Sequence, residues 1–500
     1  MDAIDKLNAH LADVLNLTRA AAVLGWDQQT YMPPGGAEAR GEQLATLSKL
    51  AHELFVSDET GRLLEEAERA VDGMDPDRTE VALVRVVRHD YDLETKLPSA
   101  LVEAIARETT RAHEVWVKAR EQNDYNAFAP TLERIYDLMR QKAEALGYED
   151  RMYDALLDQF EPGMKTAEVA EVFGGLRGEL VPFVQQVFER LDAVDHSMLH
   201  IPYDVEKQAD FGLEVVKQLG YDFNRGRQDK AVHPFTTNFS INDVRITTRY
   251  MPEYLPSALF SSVHEAGHAL YEQGSDQSLE NTVLAGGVSL GVHESQSRLW
   301  ENLVGRGRPF WQHFYPLLQK TFPEQLGHVD LDAFYRAINF VSRSLIRVEA
   351  DEVTYNLHIM LRFEMENDLL EGKLAFKDAP DAWNSKMEQY LGVTPPTNRE
   401  GILQDVHWSS GLVGYFPTYA LGTLLSVQYW DKALADVPSI PDDIAQGNFS
   451  TLLEWLRTNI HQHGRKYWPA DLTQRVTGEP LQYHSFMRYL RDKYSEIYGL

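Results

Sequence analysis

The sequence predicts a mainly α-helical protein with one short β-hairpin. Apolar residues recur at helical spacing through most of its 500 residues, and one stretch alone alternates with a period of two. A composition of 43% hydrophobic and 25% charged residues is that of a globular protein with ample material for a core. No tandem repeat or low-complexity linker divides the chain.

From the N-terminus, Ile4, Leu7, Leu11 and Val14 form an amphipathic stripe that stops before the break at Met32 to Gly36. Leu44, Leu47, Leu50 and Leu54 mark a second helix. Val81, Val84 and Val87 mark a third, after the turn at Asp75 to Asp77. Leu101 to Val117, Leu132 to Leu146 and Val169 to Leu191 follow the same pattern. His233 to Met251 differs. Phe239, Ile241, Val244 and Ile246 alternate with polar residues, and β-branched residues are dense, which predicts a hairpin turning at Asn242-Asp243. Next come a helix around Ser261 to Leu270, where Leu259, Phe260, Val263, Ala266, Ala269 and Leu270 carry no charge and suit burial, and a loop with Gly286, Gly287 and Gly291. A helix opens near Val292 and carries His293, Glu294, Arg298 and Glu301. A long helix is expected from Ser344 to Leu370 and a polar break from Gly401 to Trp408. Leu452 to Ile460 and Leu481 to Tyr498 read as closing helices. Trp408 to Trp430 holds no charge, but Gly411, Gly414, Pro417 and Gln428 make it too broken for a membrane span; a buried segment beside an active site is expected.

The formal net charge of −28 repels phosphate backbones and anionic lipid, so neither nucleic acid nor a membrane surface is an expected partner. There is no cysteine, which excludes disulfides, thiolate ligands and cysteine nucleophiles and fits a reducing compartment, the cytoplasm. The acidic amphipathic N-terminus lacks the basic and apolar regions of a signal peptide.

The chemistry concentrates at His264, Glu265 and His268, an H-E-x-x-H motif. Residues four apart on a helix share a face, so the two imidazoles can bind one metal ion while Glu265 takes a proton from water. The bland alternative is two core histidines beside an exposed glutamate. A hydrolytic site needs a third protein ligand. Ala269-Leu270-Tyr271 excludes a third histidine at the spacing H-x-x-G-x-x-H, so a carboxylate is expected. Glu272, one turn along the same helix, points away from a shared ion, and Asp276 and Glu280 lie in a polar loop. Glu294 is best placed, with His293 and Gln296 beside it as donors that could orient the ligands. His407, Tyr415 and Tyr419, flanking the uncharged segment, are candidate donors to an oxyanion.

The motifs together resemble the carboxypeptidase Taq family of metallocarboxypeptidases. H-P-F stands at His233, D-x-R-x-T at Asp243 to Thr247 and H-E-x-x-H at His264 to His268. H-E-S-Q stands at His293 to Gln296, I-R-x-x-A-D at Ile346 to Asp351 and G-x-x-Q-D-x-H-W at Gly401 to Trp408. The segments Trp26 to Pro33 and Ile460 to Gly478 are also similar, so the resemblance covers nearly the whole chain. It implies a helical fold with a deep groove, similar to neurolysin and angiotensin-converting enzyme. It implies a single domain over 1–500, in which about 1–230 forms one groove wall and about 231–500 the catalytic portion. It implies zinc, or cobalt, held by His264, His268 and Glu294, with Glu265 as base, and a homodimer. Arg347 is implied to hold the free C-terminal carboxylate of a peptide substrate, with His407 nearby and Arg245 as the next cation considered. A guanidinium can meet a carboxylate with two parallel hydrogen bonds. Without the resemblance, Arg347 on a charged helix reads as a surface ion pair.

Three rival readings differ in what they require. An aminopeptidase of the gluzincin type needs G-x-M-E-N before the metal helix. Here Met365-Glu366-Asn367 comes after it, lacks the glycine and reads as helix surface. An oligo-endopeptidase of the same fold differs in groove closure. An inactive peptide-binding scaffold has no need of Glu265.

Overall fold

The computed structural model describes residues 2–500. The expected early helices form as Ala3–Thr30, Ala37–Phe55, Thr79–Thr95, Ser99–Gln122, Tyr125–Leu146 and Thr166–Phe188. Asp2 starts the first through a reciprocal cap with Asp5. A further helix, Asp58–Val71, is started by the Ser57 side chain. Leu7, Leu11, Leu63, Leu64, Ala82, Leu83, Val84, Val86 and Val87 bury a small core of their own, closed by Leu279 and Leu284 from the middle of the chain. One large core runs from Leu101 to Tyr498 and contains the motif helix. Among the described residues no helix is long and apolar enough to cross a membrane.

The hairpin is present within a three-stranded sheet of order β1-β3-β2. The strands are β1 (Gln228–Lys230), β2 (Thr236–Ser240) and β3 (Asp243–Thr248). β2 pairs antiparallel with β3, with Thr236 opposite Ile246, and β1 runs parallel to β3. The turn falls at Ile241-Asn242, since Asp243 already belongs to β3. β1 is three polar or charged residues without alternation, so periodicity does not reveal it. The sheet lies on the motif helix, Leu255–Gly274, which opens with Pro256 in its first turn. Thr248 Oγ1 donates to Ala258 O at 3.1 Å, and Thr236 Oγ1 lies 3.0 Å from Glu265 O.

Two expectations need correction. Ser344 to Leu370 is not one long helix. The chain is irregular until a short turn at Arg347–Glu349, and the helix begins at Tyr355 (Tyr355–Leu370). Local side chains compete with helical hydrogen bonding there. Asp351 accepts from the backbone N–H of Ser342, Val353 and Thr354, and Ser344 Oγ accepts from Ile346 N. Arg347 is therefore not on a charged helix, and it is only 5% exposed. Met365-Glu366-Asn367 is not helix surface either, because its helix is enclosed on nearly all sides. Glu366 is fully buried and accepts from Tyr153 Oη at 2.6 Å and Trp408 Nε1 at 2.8 Å. Burial pushes its carboxyl up to about 7.

The last helix, His484–Tyr498, supports the irregular Arg347 segment through a buried ion pair of Lys493 with Glu352. Tyr494 Oη also donates to Glu352, at 2.7 Å. Removing one partner of a buried pair leaves an uncompensated charge. Lys493→Ala is expected to cost about 3–5 kcal/mol in urea unfolding, and the double change Glu352→Gln with Lys493→Met distinctly less. A double variant as unstable as the single one would contradict this account of the pair.

Candidate metal centre and active site

His264 and His268 stand one turn apart on the buried motif helix, with ring centroids 5.0 Å apart. Glu294 comes from the helix Leu290–Arg298, which Ser289 caps by accepting from Val292 N. Glu294 Oε2 lies 3.6 Å from His264 Nε2 and 3.5 Å from His268 Nε2, and one ligand atom from each of the three residues falls within 4.8 Å of the others. Two donors bound to one tetrahedral zinc at about 2.1 Å each stand about 3.4 Å apart, so the three atoms fit a single small ion with a position left open.

Each of these groups is held from behind. His264 Nδ1 lies 2.9 Å from Glu301 Oε2. His268 Nδ1 lies 2.6 Å from His293 Nδ1, whose other nitrogen meets Glu272 Oε1 at 2.7 Å. Arg298 Nε donates to Glu294 Oε1 at 2.7 Å, which leaves Oε2 as the oxygen facing the imidazoles. Past Arg298 the helix widens into a π-turn over Leu299–Val304, which carries Glu301. Gln296 turns the other way and accepts from His461 Nε2 at 2.9 Å, so it orients none of these groups.

The charges are mutually compensated. Burial would raise Glu294 and Glu301, but Arg298 and the two histidines hold Glu294 well below the usual carboxylate range, and Arg298, His264 and Arg306 hold Glu301 at about 2. Burial drives His268 down to about 4. At His264 burial also pushes down, and the Glu294 and Glu301 carboxylates more than offset it. Glu265 is buried, and its Oε2 accepts from Thr236 Oγ1 at 2.6 Å. Desolvation raises its pKa, a shift that suits a proton acceptor.

A second charged cluster lies beside this one. Arg347 Nε donates to Asp405 Oδ1 at 3.0 Å, and Arg362 Nε donates to Asp405 Oδ2 at 2.7 Å. Two buried guanidiniums thus share one carboxylate. Arg347 Nη1 also donates to Tyr355 Oη at 3.1 Å, and Arg298 lies over the Tyr355 ring at 4.5 Å, joining the two clusters. Arg347 lies over the Tyr419 ring at 5.1 Å, and Tyr419 Oη is 3.3 Å from His407 Nε2. Burial, together with the two arginines, takes His407 down to about 4. The Tyr415 ring stands 5.4 Å from both Tyr419 and His407. Arg245 is engaged elsewhere: it pairs with Asp243 and lies over Trp26.

Residues 6–494 match the family described as carboxypeptidase Taq (M32) metallopeptidase. The chain belongs to the carboxypeptidase Taq family. It is 42% identical to thermostable carboxypeptidase 1 of Thermus thermophilus over 493 residues, covering 97% of this chain and 96% of that protein. It is 38% identical to carboxypeptidase 1 of Bacillus subtilis, covering 98% and 97%. The crystal structure of M32 carboxypeptidase from Deinococcus radiodurans R1 superposes with a TM-score of 0.97 at 42% identity, covering 100% of both chains. The protein is accordingly a metal-dependent carboxypeptidase, a hydrolase of peptide bonds, with the mainly helical fold of its family.

In this metallocarboxypeptidase, sequence reasoning reached the three converging groups and Glu265 but gave no task to Glu301, Arg298, Tyr355 or Asp405. Arg298 was legible as the residue four after Glu294 on one helix face. Glu301 reaches His264 through the π-turn, and Tyr355 joins two clusters only in the folded chain.

The uncharged segment also acquires a purpose. Its helix, Pro417–Asp436, packs on the Glu294 helix, and a Cβ at Gly422 would stand 2.5 Å from Glu294 Cβ. Gly422→Ala should push Glu294 off its position and weaken metal binding about tenfold or more in chelator competition, with helix content unchanged. Wild-type affinity in that variant would show that the contact does not position Glu294.

Proposed function

We propose that the enzyme binds a single zinc ion per chain through His264 Nε2, His268 Nε2 and Glu294 Oε2 and removes C-terminal residues from peptides with broad specificity. The observation that carries this reading is the convergence of those three atoms while both Nδ1 atoms and Glu294 Oε1 are already engaged. The donor set, two imidazoles and a carboxylate, suits zinc, and cobalt would also be accepted. The ion, when bound, supplies Lewis-acid chemistry: it lowers the pKa of water and polarises the scissile carbonyl.

The side chains do the rest. Glu265, fixed by Thr236, takes the proton of the attacking water and returns it to the leaving amine. Arg347 receives the substrate's terminal carboxylate. Asp405 neutralises only one of the two arginines bonded to it, so the cluster keeps a positive charge for an incoming anion. Arg245 is the weaker choice, since Asp243 already matches its charge. His407 is kept neutral and donates to the substrate, and Tyr419 or Tyr415 donates to the oxyanion. The chain works as one domain, about 1–230 forming a groove wall beside the catalytic portion of about 231–500. It acts as a homodimer in the cytoplasm, on peptides with a free C-terminus and with no nucleic-acid or membrane partner.

Elemental analysis tests the ligand set. Glu294→Ala should lose the zinc, since it removes one of three protein ligands. Full zinc in that variant would move the third ligand elsewhere. Glu265→Gln should keep the metal and the fold but lose roughly a hundredfold or more in kcat. Near-normal turnover of metal-loaded Glu265→Gln would remove Glu265 from the mechanism.

A further inference from the structure

The glycine-rich turn and Glu272 have no task in the chemistry above, yet they meet at one place. His293 is interposed between His268 and Glu272, with nitrogen contacts of 2.6 and 2.7 Å. Glu272 is 6% exposed, and it accepts from Asn238 Nδ2 at 2.6 Å and from Gly287 N at 3.2 Å. Gly287 is required where it stands, because a Cβ there would come 2.5 Å from His293 Cδ2. The turn, the strand residue Asn238 and the end of the motif helix therefore combine to seat one imidazole ring.

With His268 Nε2 given to an ion, the protons on this chain of contacts follow from the geometry. A histidine that lends Nε2 to an ion carries its proton on Nδ1. His268 Nδ1–H then donates to His293 Nδ1, which must hold a lone pair. The His293 proton is therefore on Nε2, where it donates to the Glu272 carboxylate. The reverse order would set the His293 Nε2 lone pair against that carboxylate and place a proton on His268 Nε2. Burial would raise Glu272, but His293 first, and with it the bonds from Gly287 N and Asn238, more than offset it and keep the carboxyl below its ordinary value. His264 is served differently, by the Glu301 carboxylate directly at 2.9 Å.

We propose that Glu272 and His293 are a positioning relay for the metal: through one interposed imidazole, Glu272 fixes the tautomer and ring orientation of His268 and lends it negative charge, so that two residues that do not touch the ion set its affinity. The inference rests on His268 being a ligand. Groups that orient ligand histidines typically change metal affinity 10–100-fold when removed.

The test measures zinc dissociation constants by chelator competition in His268→Ala, Glu272→Gln, His293→Phe, His293→Gln and the double variant Glu272→Gln with His293→Phe. The visible absorption of the cobalt-loaded proteins is recorded alongside. His293→Phe fills the space and makes neither bond, and should weaken zinc by roughly 10–100-fold. His293→Gln can accept at one end and donate at the other, and should recover most of that loss. Glu272→Gln should weaken zinc by about tenfold. The double variant should be no worse than His293→Phe alone, because Glu272 acts only through His293. The cobalt spectrum should shift in Glu272→Gln and His293→Phe, which a merely structural role would not require. Independent, multiplying losses in the double variant would overturn the relay, as would full affinity in His293→Phe. A loss in Glu272→Gln as complete as that in Glu294→Ala would make Glu272 a ligand instead. Retained zinc in His268→Ala would strike the ligand reading itself. Lost zinc there with unaffected relay variants would strike the relay alone.

Discussion

The Glu294 carboxylate, buried among two imidazoles and a guanidinium, is the constraint the rest of the molecule is built to satisfy. An ionised carboxylate out of water is costly unless charge and hydrogen bonds compensate it. Arg298 supplies the charge at one oxygen, and the other oxygen faces the histidines, with Ser297 Oγ 3.1 Å away. Arg298 is shared with Glu301, which in turn orients His264, so one cation serves two acids. Any further charge packed on Glu294 would upset this balance. The helix that covers it, Pro417–Asp436, is accordingly apolar where it touches, with a glycine at the point of closest approach.

The same logic runs into the neighbouring cluster with the sign reversed. Asp405 is one acid between two arginines, and the excess is positive. A buried excess charge is tolerated where an anionic ligand completes it, and a peptide's terminal carboxylate has the charge and the fork geometry to do so. Tyr355 and Arg298 tie Arg347 to Glu294, through a 3.1 Å hydrogen bond to Tyr355 and the Arg298 guanidinium stacked over its ring, so continuous packing sets the separation of the two clusters. On the proposed reading, the separation between the hydrolytic centre and the Arg347 cluster restricts cleavage to the chain end. The irregular segment that carries Arg347 is held from the far side by Asp351 and by the buried Glu352 pair.

Much of this was legible in the sequence, unevenly and for physical reasons. Helices with one solvated face announce themselves by periodicity, as at Leu101 to Val117 and Val169 to Leu191. The motif helix is legible because its chemistry lies at i and i+4. The signal fails where a helix is buried all round, because no polar face remains to read: Glu366 looked like surface and is in the core. It also fails where side chains divert the backbone, as Asp351 and Ser344 do before Tyr355. The groups that position the ligands are the least legible. Glu301 acts through a π-turn, and Asp405 becomes the partner of Arg347 and Arg362 only through tertiary packing. Glu272, set aside as a ligand because it points away from the ion, is nevertheless bonded to His293 behind it.

On the proposed reading, the uncompensated Arg347, positioned from the metal centre, confines this hydrolase to the ends of peptides. The most direct measurement is the ratio of kcat/KM for matched peptides with free and with amidated C-termini, taken in the wild type and in Arg347→Gln. A charge-assisted pair in a buried site is worth about 2–5 kcal/mol, or roughly thirtyfold to several thousandfold in kcat/KM. The wild type should prefer the free terminus by a factor in that range, and Arg347→Gln should bring the ratio close to unity while retaining its metal. A wild type indifferent to amidation, or a variant that keeps the full preference, would contradict the account.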